Sequence, residues 1–178
     1  EELINVSKEQ ALNTFATIKE QGVDFVPTGT FSLYDHVLDM SNTLGIIPEA
    51  YAKSGLSQLD TYFAMARGHQ KGGVDLPATE MKKWFDSNYH YLVPEFSEKS
   101  EFKLNDNKPV DDFIEAKEAG YNARPVILGP LTLLWLGKTS KDAQDPNFNR
   151  YSLLPKLAQT YVQLFEKLAA AGAPWVQL

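Results

Sequence analysis

The chain contains no cysteine. That absence excludes disulfides and leaves any zinc to histidine and carboxylate ligands. Histidine is scarce as well, and His36, His69 and His90 stand far apart with no His-x-x-x-His spacing. A metal site built within this chain would need long-range assembly with carboxylates. No apolar run approaches the roughly 20 residues of a membrane span, and the first residues lack the basic-then-apolar pattern of a signal peptide. A reducing, cytoplasmic location is therefore expected, with no membrane partner. Cationic surface is also missing. The formal charge is -6, and Lys82, Lys83, Lys99, Lys103 and Lys108 are interleaved with acids rather than gathered into a stripe, which argues against a nucleic-acid partner. No glycine-rich phosphate cradle is present either.

What remains is ordinary globular sequence. At 178 residues one domain, or a piece of one, is expected. Glu1 to Gln21 carries Leu3, Ile4, Ala11, Leu12, Phe15 and Ile18 at helical spacing, and Gly22 stops it. Val23 to Pro27 reads as a strand opening into a turn at Gly29, and Ser32 or Thr30 could cap a helix from Leu33 to Leu44. The pattern predicts helices over Asp60 to Arg67 and Ala78 to Phe85, with a loop from Gly68 to Pro77 between them. Phe102 to Leu104 is a weak strand, and Pro109 to Gly120 has the proline start, acidic first turn and glycine stop of a helix. Pro125 to Leu128 suits a strand buried on both faces, broken at Gly129-Pro130 before a short helix or loop. Tyr151 to Ala171 is the clearest amphipathic helix, and Trp175 to Leu178 begins another strand.

This alternation indicates α/β architecture with parallel strands. Only three convincing barrel-type strands are present, Val23 to Pro27, Pro125 to Leu128 and Trp175 to Leu178. A closed (β/α)8 TIM-type barrel needs about 250 residues, so the chain is either a small open sheet or an incomplete portion of a barrel. The sequence stops inside its last strand, with nothing to cover the edge, which favours the incomplete barrel.

One segment is denser in chemistry than packing requires. Glu80-Met-Lys-Lys-Trp-Phe-Asp-Ser-Asn-Tyr-His-Tyr-Leu-Val-Pro-Glu95 combines aromatic faces with cationic and amide donors, which suits a flat anionic small molecule. A helix end with buried rings and solvated lysines accounts for the same residues. Elsewhere the bland reading prevails. Adjacent Asp35 and His36 read as a helix-start carboxylate and a half-buried imidazole. Asp39, on the same face as Asp35, reads as solvated charge; Arg67 could bind a carboxylate, and a helix-end cation explains it as well. Ser32 has no nucleophile-elbow context.

Several segments, in order, carry a resemblance: Gly22-Val-Asp-Phe-Val-Pro, Phe31-Ser-Leu-Tyr-Asp-His-Val-Leu-Asp39, Phe63-Ala-Met-Ala-Arg-Gly68, the Glu80 to Tyr91 stretch, Pro125-Val-Ile-Leu-Gly-Pro130 and Ala170-Ala-Gly-Ala-Pro-Trp-Val-Gln-Leu178. Together they cover nearly the whole chain, and the sequence resembles the N-terminal half of the cobalamin-independent methionine synthases, 5-methyltetrahydropteroyltriglutamate:homocysteine methyltransferases. The resemblance implies two (β/α)8 barrels, of which this chain is an incomplete N-terminal portion of the first, with the active site between them. It implies zinc in the second barrel, which activates homocysteine as a thiolate, with ligands outside this chain and no cobalamin. The first barrel is then expected to bind 5-methyltetrahydrofolate in its polyglutamate form and to work with the C-terminal barrel of the same polypeptide. Lys83 matches the family's tail-binding lysine and Asn88 a folate-contacting amide, while no catalytic residue is expected here. Trp84, Phe85 and Tyr91 are expected to pack, and Lys82, about 100° from Lys83 on a helix, to be surface.

Two departures accompany the match. The family's segment ending in Arg-Glu-Leu-Lys does not precede Glu1, and its Asp-Glu-Pro does not follow Leu178. The chain is therefore expected to be truncated at both ends and inert in isolation. A non-catalytic folate-binding module, or a different small β/α enzyme, are the alternatives.

Overall fold

A computed structural model describes residues 2–178. Its centre is a short parallel arrangement. Strand β1, Val26–Thr28, pairs in parallel with β7, Ala123–Pro125, and Val126 bridges in parallel to Gln177. The three segments read from the sequence as barrel-type strands are thus neighbours, but β1 covers only the end of the first and runs to Thr28, β7 lies ahead of the second and meets it at Pro125, and the third contributes a single bridge at Gln177. Gly29 ends β1 with φ of +80°, and a Cβ there would sit 2.8 Å from the Val126 carbonyl oxygen. Only glycine permits that approach.

Helices cover this centre. Helix α1, Glu2–Glu20, buries Phe15 and lays Ala11, Leu12 and Ile18 on the core, while Leu3, Ile4 and Val6 at its start stay exposed. Helix α5, Lys108–Glu118, starts with proline in its first turn and buries Val110, Phe113 and Ala116. Helix α7, Leu154–Ala170, follows a 3-10 turn at Arg150–Leu153 and buries Leu157, Tyr161, Leu164 and Leu168, residues spaced three or four apart on one face. Helix α2, His36–Thr43, is preceded by Asp35, which caps it in place of the expected Ser32 or Thr30. Helix α4, Gln58–Arg67, is capped by Ser57. Short α3, Glu49–Ala52, has no counterpart in the sequence reading, and α6, Pro130–Leu136, is the short helix expected after the break.

Three local expectations are corrected. The helix expected over Ala78 to Phe85 is strand β4, Met81–Lys83, antiparallel to β5, His90–Leu92. A run this short does not separate helix from strand, and pairing with a downstream strand decides it. The loop expected from Gly68 to Pro77 contains a second hairpin, β2 His69–Lys71 with β3 Val74–Leu76, whose turn uses Gly72 and Gly73 at φ of +62° and +82°. Two successive positive φ values are what a tight two-residue hairpin turn demands. Phe102 to Leu104 forms no strand; Lys103 and Asn105 donate backbone bonds to Leu44 and Thr43 at the end of α2.

The last pair, β6 Glu95–Phe96 with β8 Lys138–Thr139, is parallel. The architecture is mixed α/β with four two-stranded pairings, and the described residues close no barrel. No described helix is long and apolar enough to cross a membrane.

Candidate functional site

The β4–β5 hairpin carries the sequence-selected residues. Lys83 ends β4 in register with His90, and the loop between is closed where the Trp84 amide donates to the Tyr89 carbonyl at 2.7 Å. Ser87 turns back within it, its amide 3.1 Å from the Trp84 carbonyl oxygen. Phe85 takes φ of +49°, the one left-handed non-glycine residue among those described. Lys83 and Asn88 are both exposed at the same end of this hairpin. Lys83 has no carboxylate partner among the described residues, whereas Lys82 stands 3.5 Å from Glu80. Because β4 is a strand, Lys82 and Lys83 point to opposite sides rather than 100° apart.

The aromatic residues divide. Tyr91 is buried and its hydroxyl donates to the Leu136 carbonyl at 3.1 Å. Trp84 is half-buried, with ring contacts to His36 at 4.6 Å and Tyr91 at 6.1 Å. Phe85, expected to pack inside, is instead 63% exposed and stacks on exposed Trp135 at 5.7 Å. The turn geometry throws its ring outward.

Beneath the hairpin lies the start of α2. Asp35 is fully buried, and its Oδ1 accepts the Val37 and Leu38 amides at 2.8 and 2.9 Å while Oδ2 accepts the Leu92 amide of β5 at 3.1 Å. It is the helix-start carboxylate the sequence indicates, but its second bond, to a strand far along the chain, left no local signal. Burial, with the Asp39 charge adding, outweighs these donors and pushes its carboxyl up to about 6. His36 is half-buried, as expected, and burial pulls its imidazole below the ordinary histidine range.

Asp39 is not the solvated charge expected of it. Its carboxylate accepts from the Tyr62 hydroxyl at 2.6 Å and lies 3.9 Å from the Lys108 ammonium. Lys108 also donates to Asp112 at 2.7 Å and to the Phe31 carbonyl at 3.1 Å. Burial pushes both Asp39 and Asp112 upward despite the ammonium. For Lys108, burial pulls downward, and Asp112, Asp39 and Asp106 together reverse it, so the ammonium is held above the lysine range. The network therefore costs desolvation and recovers it through mutual pairing.

This network separates two cavities. One, of about 250 Å³, opens at the ends of β1 and β7, with Thr28, His36, Asp39, Trp84, Lys108 and Ile127 in its wall. The other, of about 650 Å³, lies among α1, α2, α4 and α5, with Phe15, Phe31, Tyr62, Asp39, Asp106 and Lys108 around it. Lys83 and Asn88 line neither, although Trp84, next to Lys83, does reach the smaller one. Among the described residues, the cavity walls bring no serine, threonine or lysine nucleophile into hydrogen-bond contact with a histidine base. Nor does the site fit a zinc ion. The chain has no cysteine, and among the described residues no three histidine, aspartate or glutamate groups converge. Arg67 is the last residue of α4, ahead of the Gly68 cap, and its guanidinium lies 4.6 Å from the Phe63 ring.

Residues 1–178 match the family model described as the cobalamin-independent synthase, N-terminal domain. The 5-methyltetrahydropteroyltriglutamate–homocysteine methyltransferase of Saccharomyces cerevisiae is 48% identical, with 100% of this chain and 24% of the relative aligned. The protein of that name from Candida albicans is 48% identical over 100% of this chain and 24% of its own length. That from Chelativorans sp. is 46% identical over 99% of this chain and 24% of its own. The chain thus spans about a quarter of the length of the curated relatives it matches. With a family model running from its first residue to its last and relatives of this identity along the whole of it, the chain belongs to the cobalamin-independent synthase family.

Proposed function

We propose that this chain is part of a methyltransferase that moves the methyl group of 5-methyltetrahydropteroyltriglutamate to homocysteine, and that its own share of the work is to hold the folate and its polyglutamate tail. The observation that carries the reading is the identity of 44–49% along the whole chain to proteins named for that reaction. The hairpin supports it. Lys83 is an exposed ammonium without a carboxylate partner among the described residues, suited to the flexible carboxylates of a glutamate tail. Asn88, at the same hairpin end, offers an amide with both donor and acceptor. The aromatic group between them supplies stacking area.

The zinc that activates the homocysteine thiol is placed outside this chain. When bound it lowers the thiol's pKa so that sulfur can attack the methyl group at neutral pH. Nothing in this chain is assigned to that step. The parallel strands β1, β7 and the Gln177 segment are read as part of a (β/α)8 barrel, completed by other sequence and facing a C-terminal barrel of the same polypeptide. Location in the cytoplasm belongs to the same reading.

The test replaces Lys83 with alanine in the full-length protein. Binding of triglutamate folate should weaken by about tenfold, roughly one charge-assisted contact, while monoglutamate folate changes little. Equal losses for both would remove the role given to Lys83.

A further inference from the structure

Four contacts run from the dipeptide Asp35-His36 to the hairpin. Asp35 Oδ2 accepts the Leu92 amide at 3.1 Å, while Oδ1 alone serves the α2 cap. The His36 amide donates to the Tyr89 hydroxyl oxygen at 3.1 Å, and His36 Nδ1 lies 3.1 Å from the same oxygen. The imidazole edge meets the Trp84 ring at 4.6 Å. Trp84 and Tyr89 are the first and last residues of the loop joining β4 to β5. Lys83 immediately precedes one, and Asn88 the other.

We propose that Asp35, His36 and Tyr89 form a clamp that sets the attitude of the 84–89 loop, and through it the positions of Lys83 and Asn88 toward a polyglutamated folate. They are positioning residues. A helix cap needs one carboxylate oxygen, yet Asp35 extends its second to a strand 57 residues away. The loop's other fastenings are the Trp84 amide to Tyr89 carbonyl bond at its neck, the Ser87 turn, the Trp84–Tyr91 ring contact and the exposed Phe85–Trp135 stack. Solvent competes with the Ser87 turn and the Phe85 stack, and the neck bond ties the loop only to itself. The polar tie to a fixed point of the body is made by the buried start of α2, and a loop so held loses less conformational freedom when ligand arrives.

This inference rests on the folate reading above, and two substitutions in the full-length protein probe it. Tyr89→Phe keeps the ring and removes the hydroxyl. Asp35→Asn keeps an acceptor for the α2 cap but turns an amide N–H2 toward the Leu92 N–H, so the cap survives and the bridge does not. Each should raise KM for triglutamate folate about three- to tenfold, with kcat and KM for homocysteine changed less than twofold. Amide exchange should quicken within 84–89 in Tyr89→Phe and stay unchanged elsewhere. On a Lys83→Ala background, Tyr89→Phe should add less than it costs alone, because part of its effect acts through Lys83 and only the share carried by Asn88 remains.

If Lys83→Ala leaves triglutamate folate unaffected, the folate reading fails and the clamp's purpose fails with it. If Lys83→Ala weakens binding but neither clamp variant does, or loop exchange is unchanged, only the clamp is overturned. A uniform fall in kcat, both affinities and thermal stability would show a merely structural role and overturn it too.

Discussion

Asp35 shows how much one residue can hide from a sequence reading. Its place before an apolar-periodic segment marks it as a helix cap, and the cap is there. Its complete burial and its bond to Leu92 depend on where β5 lies. The sign of its pH effect follows from its raised carboxyl. With an unfolded value near 3.8 and a folded value of about 6, the folded state holds the proton more tightly, so this group's contribution is present at low pH and is lost as pH rises between those values. Relative to Asp35→Asn, the wild-type chain should gain up to about 3 kcal/mol of stability on acidification from pH 7 to pH 4. Denaturant titrations of the pair at several pH values measure it, and a flat difference would refute the assignment. Gly29 is a second single-residue case. Alanine there combines a φ of +80° with a Cβ 2.8 Å from the Val126 oxygen, and should cost about 2–4 kcal/mol in thermal or chemical unfolding.

Among the elements, α7 and the β4–β5 hairpin sit at opposite ends of legibility. Helix α7 was plain because its own residues repeat at helical spacing and its buried face is long. Leu164, fully buried on that face, should cost about 2–5 kcal/mol as alanine, whereas exposed Val162, two residues away, should cost under about 0.5 kcal/mol as threonine. Calorimetry of the two variants makes the comparison. The hairpin was misread because three-residue strands carry too few positions to separate a period of 2 from one of 3.6, and Met81-Lys-Lys83 has no alternation to show. The hairpin brings Lys83 and Asn88 to one end, both exposed.

Across the whole molecule, the Asp39–Lys108–Asp112 network joins α2 to α5 and separates the two cavities. Replacing Lys108 with methionine would leave two enclosed carboxylates facing each other. The expected loss is about 3 kcal/mol at pH 7, at the low end for a buried pair because the ammonium is partly exposed. It should shrink on acidification, since both carboxyls sit above their ordinary range and protonate early. Urea unfolding at pH 7 and pH 5 tests both statements. The family, the order of the motifs, the long helices and the neighbourhood of the strand segments near Pro27 and Pro125 were legible in the sequence alone, because periodicity, caps and ordered identities are local properties of the chain. Tertiary structure alone decided that residues 81–83 pair as a strand, that Asp39 is enclosed, that Phe85 faces outward, and that the start of α2 holds the loop beside Lys83 and Asn88. Each of those outcomes depends on a partner distant in sequence, and a charge or a ring carries no local mark of what will be packed against it.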